Sequence, residues 1–234
     1  LKNNSDVLGT ALRDFWAGTS SNPIVTWTDL TDEDEMDPGY FFRTYEQMPA
    51  IEQHALDTAK GRTLDVGCGS GSHSLYLQQK GLQITGIDHS QLSVEVAKKR
   101  GLKNAVCQDF FDFNTGHFDT ILLLMNGAGI AGRLKTLPKL FLKLEALLAP
   151  NGQVLVDSSD LIYLFEDHLE QVPTDRYYGE LTFGIRYKDH STLFPWLYID
   201  YNLLAQCAAQ LEWKIEKLLD GPNHDYLARL TKEY

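Results

Sequence analysis

Leu64-Asp65-Val66-Gly67-Cys68-Gly69-Ser70-Gly71 leads without a break into a helical pattern over residues 72–80. A short apolar run ending in closely spaced glycines reads as a strand turning sharply into a helix, because glycine accepts backbone conformations that other residues resist. With no Cβ in the way, the chain can pass very near a ligand, and the helix N-terminus offers it free N–H groups. Asp88 follows the next apolar run, residues 83–87, and lies 21 residues after Gly67. A carboxylate there can accept hydrogen bonds from both hydroxyls of a ribose. Loop, helix and acid together describe an adenosine-containing cofactor. A dinucleotide fingerprint places glycines at positions one, three and six, and the sixth position here is Ser72, the third glycine being Gly71. The spacing weakens the dinucleotide reading, and a Walker loop is excluded because no Lys-Ser or Lys-Thr follows the glycines.

Outward from this stretch the same rhythm repeats. Apolar runs at 63–66, 83–87, 104–107, 118–125 and 153–157 alternate with amphipathic helical patterns at 72–80, 91–100 and 135–149. Such alternation predicts an α/β fold with a parallel sheet covered by helices on both faces. In the last helix Leu137, Leu140, Phe141, Leu144, Leu147 and Leu148 form the apolar stripe, with Lys135, Lys139 and Lys143 as a solvated face. Two strands at 177–188 and 193–199 interrupt the pattern as an insertion. A helix at 200–210 and an antiparallel hairpin, 213–219 with 226–231, close the chain. Before the core, a helix at 6–17, an irregular acidic segment and a helix at about 40–60 are expected.

Composition sets the outer limits. The chain has 234 residues, 43% apolar and 23% charged, enough to bury a core without disulfides or metals. Its three cysteines are isolated, which suits a reduced, cytoplasmic setting and offers no metal-ligand spacing. The first ten residues lack a basic region followed by an apolar stretch, so no export signal is expected, and no run approaches a membrane span. The net charge is −11, and residues 1–39 hold two basic side chains against eight acidic ones. Such a surface repels phosphate backbones, so nucleic acid is not an expected partner.

LDVGCGSG (64–71) resembles the first motif of the class I S-adenosylmethionine-dependent methyltransferases. GIDHS (86–90), CQDFFDF (107–113), FDTILLLMNGAG (118–129) and LLAPNGQVLVDSSD (147–160) are similar to the later motifs, in the same order. The resemblance covers about residues 60–160 closely and the closing hairpin loosely. It implies a Rossmann-like, doubly wound, mostly parallel sheet with an antiparallel closing hairpin, and S-adenosylmethionine as the cofactor. By that likeness Gly67, Cys68, Gly69 and Gly71 line the methionine end, Asp65 braces the loop through water or its amides, and Asp88 holds the ribose. His89 flanks the adenine, Asp109 accepts its amino group, and Phe110 lies against the ring. Asn126 and Gly127 close over the ammonium by their carbonyls. Arg43 is a further candidate, for the cofactor's carboxylate.

The expected reaction is in-line transfer of the sulfonium methyl group to a small-molecule acceptor. A protein side chain, a catalytically silent cofactor-binding domain and, last, a nicotinamide oxidoreductase are the alternatives. No residue declares itself as the catalytic base, His73 being the nearest candidate. The acceptor is expected beyond the carboxyl ends of the last parallel strands. Asp157, Ser159 and Asp160 lie there, and Tyr178 of the insertion is placed to wall the pocket. The segments 1–45 and 158–199 are expected to form a lid on a methyltransferase domain spanning 46–234. A homodimer interface is the competing reading of their aromatic residues.

Overall fold

A computed structural model describes residues 6–166 and 168–232. Among these residues the chain forms, in order, α1 (Val7–Trp16), β1 (Ile24–Thr28), β2 (Asp34–Met36), α2 (Ala50–Thr58), β3 (Arg62–Val66), α3 (Ser72–Gln79), β4 (Gln83–Asp88), α4 (Gln91–Lys99), β5 (Ala105–Cys107), β6 (Phe118–Leu123), α5 (Leu137–Leu147), β7 (Leu148–Ser159), β8 (Glu180–Tyr187), β9 (His190–Leu197), α6 (Tyr201–Gln210), β10 (Lys214–Asp220) and β11 (Asp225–Thr231). The fold is α/β, with a mostly parallel central sheet and antiparallel strands at its closing end. The described residues divide into two compact units, residues 6–48 with 64–113 and 182–194, and residues 49–63 with 114–166, 168–181 and 195–232. No helix among the described residues is long and apolar enough to cross a membrane.

The first unit holds the glycine stretch. Its strands run β3-β4-β5, with β4 and β5 parallel and Gly86 opposite Ala105. Leu64, Val66, Ile84 and Ile87 are buried along them, as near-continuous apolar runs of parallel strands should be. The N-terminal helix belongs to this unit. Asp6 caps α1 by accepting from the Gly9 amide at 3.0 Å, and its other oxygen accepts from the Ser90 hydroxyl at 2.7 Å and the Leu92 amide at 3.3 Å. Ser90 in turn caps α4, its Oγ taking the Ser93 amide at 2.9 Å. One carboxylate therefore fastens the starts of two helices. A Cβ on Gly9 would collide with Ser90 Oγ, so glycine is what lets α1 approach so closely.

The acidic segment expected to be irregular instead carries β1 and β2. These join β8 and β9 in a second sheet, ordered β2-β1-β8-β9, with Val25 opposite Arg186 and Trp27 opposite Gly184. A side chain at Gly184 would strike the Trp27 indole. Val7, Ala11, Ile24, Ile185 and Tyr187 pack together beneath this sheet. The acids themselves stay solvated, as expected, and the Glu33–Arg186 pair at 2.6 Å is too exposed to add much stability.

In the second unit the order is β10-β11-β7-β6. Ile121 and Leu123 of β6 lie opposite Val154 and Val156 of the parallel β7, and β11 runs antiparallel to β7, with Leu227 facing Asp157. The apolar stripe of α5 is buried, and Phe141 meets Trp213 at 5.5 Å. One expectation is corrected before the core. The helix anticipated over 40–60 starts only at Ala50, because Pro49 has no N–H to continue a helix from the preceding turn. Pro38–Phe42 and Tyr45–Gln47 are short 3-10 turns, the second closed by a Thr44–Gln47 capping box.

Candidate cofactor and acceptor sites

The glycine loop of the first unit has the conformation its sequence demands. Gly67, Gly69 and Gly71 take φ values of 72°, 53° and 87°, in the left-handed region that favours glycine. Cβ atoms on Gly67 or Gly69 would meet nothing within 4 Å, so that face of the loop is open. A Cβ on Gly71 would lie 3.1 Å from Ala97, so this glycine lets the loop pack onto α4.

Asp88 is buried, and its two oxygens accept from the Gly69 amide at 2.9 Å and the Ser90 amide at 2.8 Å. Burial pushes its carboxyl above the usual carboxylate range, and the two amides pull it back. A carboxylate has about four lone-pair positions, so Asp88 retains acceptor capacity beyond these bonds. It is therefore first a brace for the loop. Asp65 accepts from the Ser74 hydroxyl of α3 at 2.6 Å.

The remaining candidates of this unit fall into two groups. Cys68 and Phe110 are buried, and desolvation pushes the Cys68 thiol well up. His89 and Asp109 are exposed. The His89 ring nitrogen lies 3.6 Å from Asp88, and Asp109 accepts from the Phe111 amide at 2.8 Å in its own turn. The Arg43 guanidinium sits 3.5 Å from the Tyr40 ring centre.

Sequence reasoning missed Arg100. Its Nη1 donates to the Ser70 carbonyl at 2.8 Å, the Ser70 hydroxyl at 2.6 Å and the Ser72 hydroxyl at 3.0 Å. The same two hydroxyls donate to the Phe41 carbonyl, Ser72 at 2.8 Å. The end of the glycine loop is thus clamped to residues 41 and 100. A basic residue in the last turn of a helix usually serves the helix dipole, so its position alone gave no signal.

In the second unit two polar residues at the end of β7, Asp157 and Ser159, meet the turn after β6. There Met125 and Asn126 both have positive φ, 64° and 58°, which ends β6 at Leu123 and marks a strained turn. Asp157, buried, accepts from the Gly127 amide at 3.3 Å, and the Ser159 hydroxyl bonds the Asn126 side chain at 2.8 Å. Asp160 accepts from the Ile162 amide at 2.9 Å and from the Tyr178 hydroxyl at 2.7 Å. The four acceptor-side candidates thus fall in one unit, Asp157 and Ser159 bonded to the turn after β6 and Asp160 to Tyr178. Tyr177 repeats the pattern on Asp200 at 2.8 Å. Tyr198, not anticipated, has its phenol pushed up to about 12 by burial and by neighbouring Tyr163 and Asp157. No group of three or more metal-ligating side chains occurs among the described residues.

Comparison with known proteins agrees with this geometry. A family profile described as a methyltransferase domain matches residues 64–156. A solved S-adenosylmethionine-dependent methyltransferase from Bacteroides fragilis, in complex with S-adenosyl-L-homocysteine, is 45% identical, with a TM-score of 0.92, over 100% of this chain and 98% of that one. A protein of Geobacillus sp. (strain WCH70), provisionally named a methyltransferase, is 25% identical over 50% of this chain and 51% of its own. The ubiquinone biosynthesis O-methyltransferase of Xanthomonas oryzae pv. oryzae is 38% identical over 28% of this chain and 31% of its own. The chain thus spans about half the length of the first of these curated relatives and about a third of the second.

Proposed function

We propose, from the premise that this chain belongs to the class I S-adenosylmethionine-dependent methyltransferases, that it binds S-adenosylmethionine on its glycine loop and methylates a small molecule. The observation that carries the reading is the open face of Gly67 and Gly69, a cradle that any side chain would fill. Bound there, the cofactor supplies a methyl group already activated by its sulfonium. The chain's own task is to hold the partners in line and keep water away.

In this reading Gly67, Cys68, Gly69 and Gly71 present backbone to the methionine end, with Arg43 serving the carboxylate. The lone pairs that Asp88 retains take the ribose hydroxyls. His89, Asp109 and Phe110 border the adenine. Asn126, which holds a left-handed backbone conformation, and Gly127 are assigned to the ammonium by the family likeness. Asp157, Ser159, Asp160 and Tyr178 hold the acceptor, and residues 1–45 and 158–199 cover it. A cytoplasmic setting is supported by three free cysteines. A small acceptor is supported by the net charge of −11, which disfavours nucleic acid.

Calorimetry is expected to show binding of S-adenosylmethionine and S-adenosylhomocysteine and none of NAD, and an acceptor screen should then release S-adenosylhomocysteine. Binding of NAD alone would overturn the reading. Gly69→Ala offers a sharper check. Its methyl group meets no protein atom, so stability should fall by only about 1–2 kcal/mol, from the left-handed backbone. Cofactor affinity should fall more steeply, by about tenfold or greater, because the methyl group occupies the cradle. A melting shift with undiminished affinity would show that the ligand does not approach the loop.

A further inference from the structure

The outer face of α3, opposite its buried Ser74 and Leu77, borders a cavity of about 450 Å³ within the first unit. Trp16, Tyr45, Leu75, Tyr76, Gln79 and Arg100 line it, and Gly67, Cys68, Gly69 and Asp88 do not. That volume is ample for a ring-sized ligand. The walls combine two properties. Tyr45 stacks on Tyr76 at 4.3 Å and Trp16 on Phe42 at 6.1 Å, and the indole remains 46% exposed. These are flat apolar surfaces of the kind an aromatic ring packs against.

The second property is charge. In a chain of net charge −11, this cavity is lined by Arg100 and by Arg43, the residue assigned above to the cofactor's carboxylate, against one anion, Glu46. Glu46 is engaged by its own backbone and by the Thr44 hydroxyl. Arg100 uses Nη1 to clamp the glycine loop, while its Nε and Nη2 make no hydrogen bond among the described residues. Its guanidinium is positioned by the Phe42 ring, 4.8 Å away. One edge of the guanidinium is thus committed, and the other remains available for a bidentate anion.

We propose that this cavity binds a small aromatic carboxylate, its carboxylate on Arg100 and its ring against the tyrosine and tryptophan faces, and that Arg100 passes the occupancy on to the glycine loop. Arg100 touches Ser70 and Ser72 directly, so holding the guanidinium also steadies the end of that loop. Thermodynamic reciprocity requires that a cofactor held by the same loop change the carboxylate's affinity by an equal factor.

Benzoate is the probe and benzyl alcohol its neutral control, titrated by calorimetry into the full chain without cofactor. Benzoate is expected to bind with Kd on the order of 1 mM, a plausible affinity for so few atoms. Benzyl alcohol should bind at least about tenfold more weakly, lacking the charge-assisted pair. Leu75→Glu, and separately Gln79→Glu on the exposed helix surface, should each weaken benzoate about tenfold by placing a like charge in the cavity. Circular dichroism melts establish that both variants fold. At saturating benzoate the Kd for S-adenosylmethionine should shift by about threefold or more, matched by an equal shift of the benzoate Kd when the cofactor is present.

No saturable benzoate binding up to about 10 mM, or binding that both folded variants leave intact, overturns the site. Mutual exclusion of benzoate and cofactor does so too, since it places benzoate in the cofactor's own position. An unchanged cofactor Kd overturns the coupling through Arg100. Benzoate binding is read without cofactor, so its failure is distinct from a failure of the methyltransferase reading.

Discussion

Replacing Asp88 with alanine is expected to lower cofactor affinity by roughly a hundredfold and to lower the melting temperature as well. Two charge-assisted hydrogen bonds to a ribose contribute about 1.5–3 kcal/mol each, less where water substitutes. The stability loss comes from the protein itself. The Gly69 and Ser90 amides both donate to this buried carboxylate, and each would be left without its partner at a cost of about 1–3 kcal/mol. Asp88→Asn keeps the shape but offers one acceptor oxygen where there were two, so it should fall between alanine and the native residue on both measures. Calorimetry on the folded variants separates the effects. A dissociation constant that Asp88→Ala leaves unchanged would place the ribose elsewhere.

Removal of residues 1–39 is expected to abolish cooperative folding. A segment serving only as a lid would be lost with no more than a loss of turnover. This one carries α1, β1 and β2, and with them buried Val7, Ala11, Leu12 and Ile24. Burying large apolar side chains contributes about 1.5–3 kcal/mol each, and a domain's whole margin is about 5–15 kcal/mol. The truncation also removes the Asp6 carboxylate that caps α1 and steadies the start of α4. A single Leu12→Ala change should already lower stability by about 2–5 kcal/mol, because that side chain is wholly enclosed. A truncated chain that melts cooperatively within a few degrees of the intact protein would refute this.

The order and type of the strands and helices were legible, but not every end: the strand read as 153–157 runs from Leu148 to Ser159, through the turn expected at 150–152. Strand and helix periods differ, and each element in the parallel part is flanked by glycine, proline or a polar cap. Val154–Val156, for example, cannot be mistaken for a helix when Pro150-Asn151-Gly152 precedes it. The left-handed glycines were equally plain, since nothing else fits that loop. Reading failed where the partner is remote. Ile24–Thr28 is rich in β-branched residues and follows Pro23, yet acids follow it closely, and its partner strand β8 begins only at Glu180. Arg100 and Asp6 were missed for a related reason. Each looks like an ordinary helix-end residue, and only three-dimensional proximity to Ser70 or Ser90 gives it a further task.

The pairing of β1 with β8 has a consequence for synthesis. Thr26 lies opposite Ile185, so during translation the N-terminal strand waits about 160 residues for its partner, roughly 10–30 s at ordinary elongation rates. For that interval Ile24, Val25 and Trp27 form an unprotected β-prone segment on the growing chain. Asp29, Asp32, Glu33, Asp34 and Glu35 follow immediately, long before β8 is made. Such flanking charges act as gatekeepers against association between nascent chains. The acidic run is thus placed to shield this segment during synthesis as well as to supply the outer edge of the second sheet.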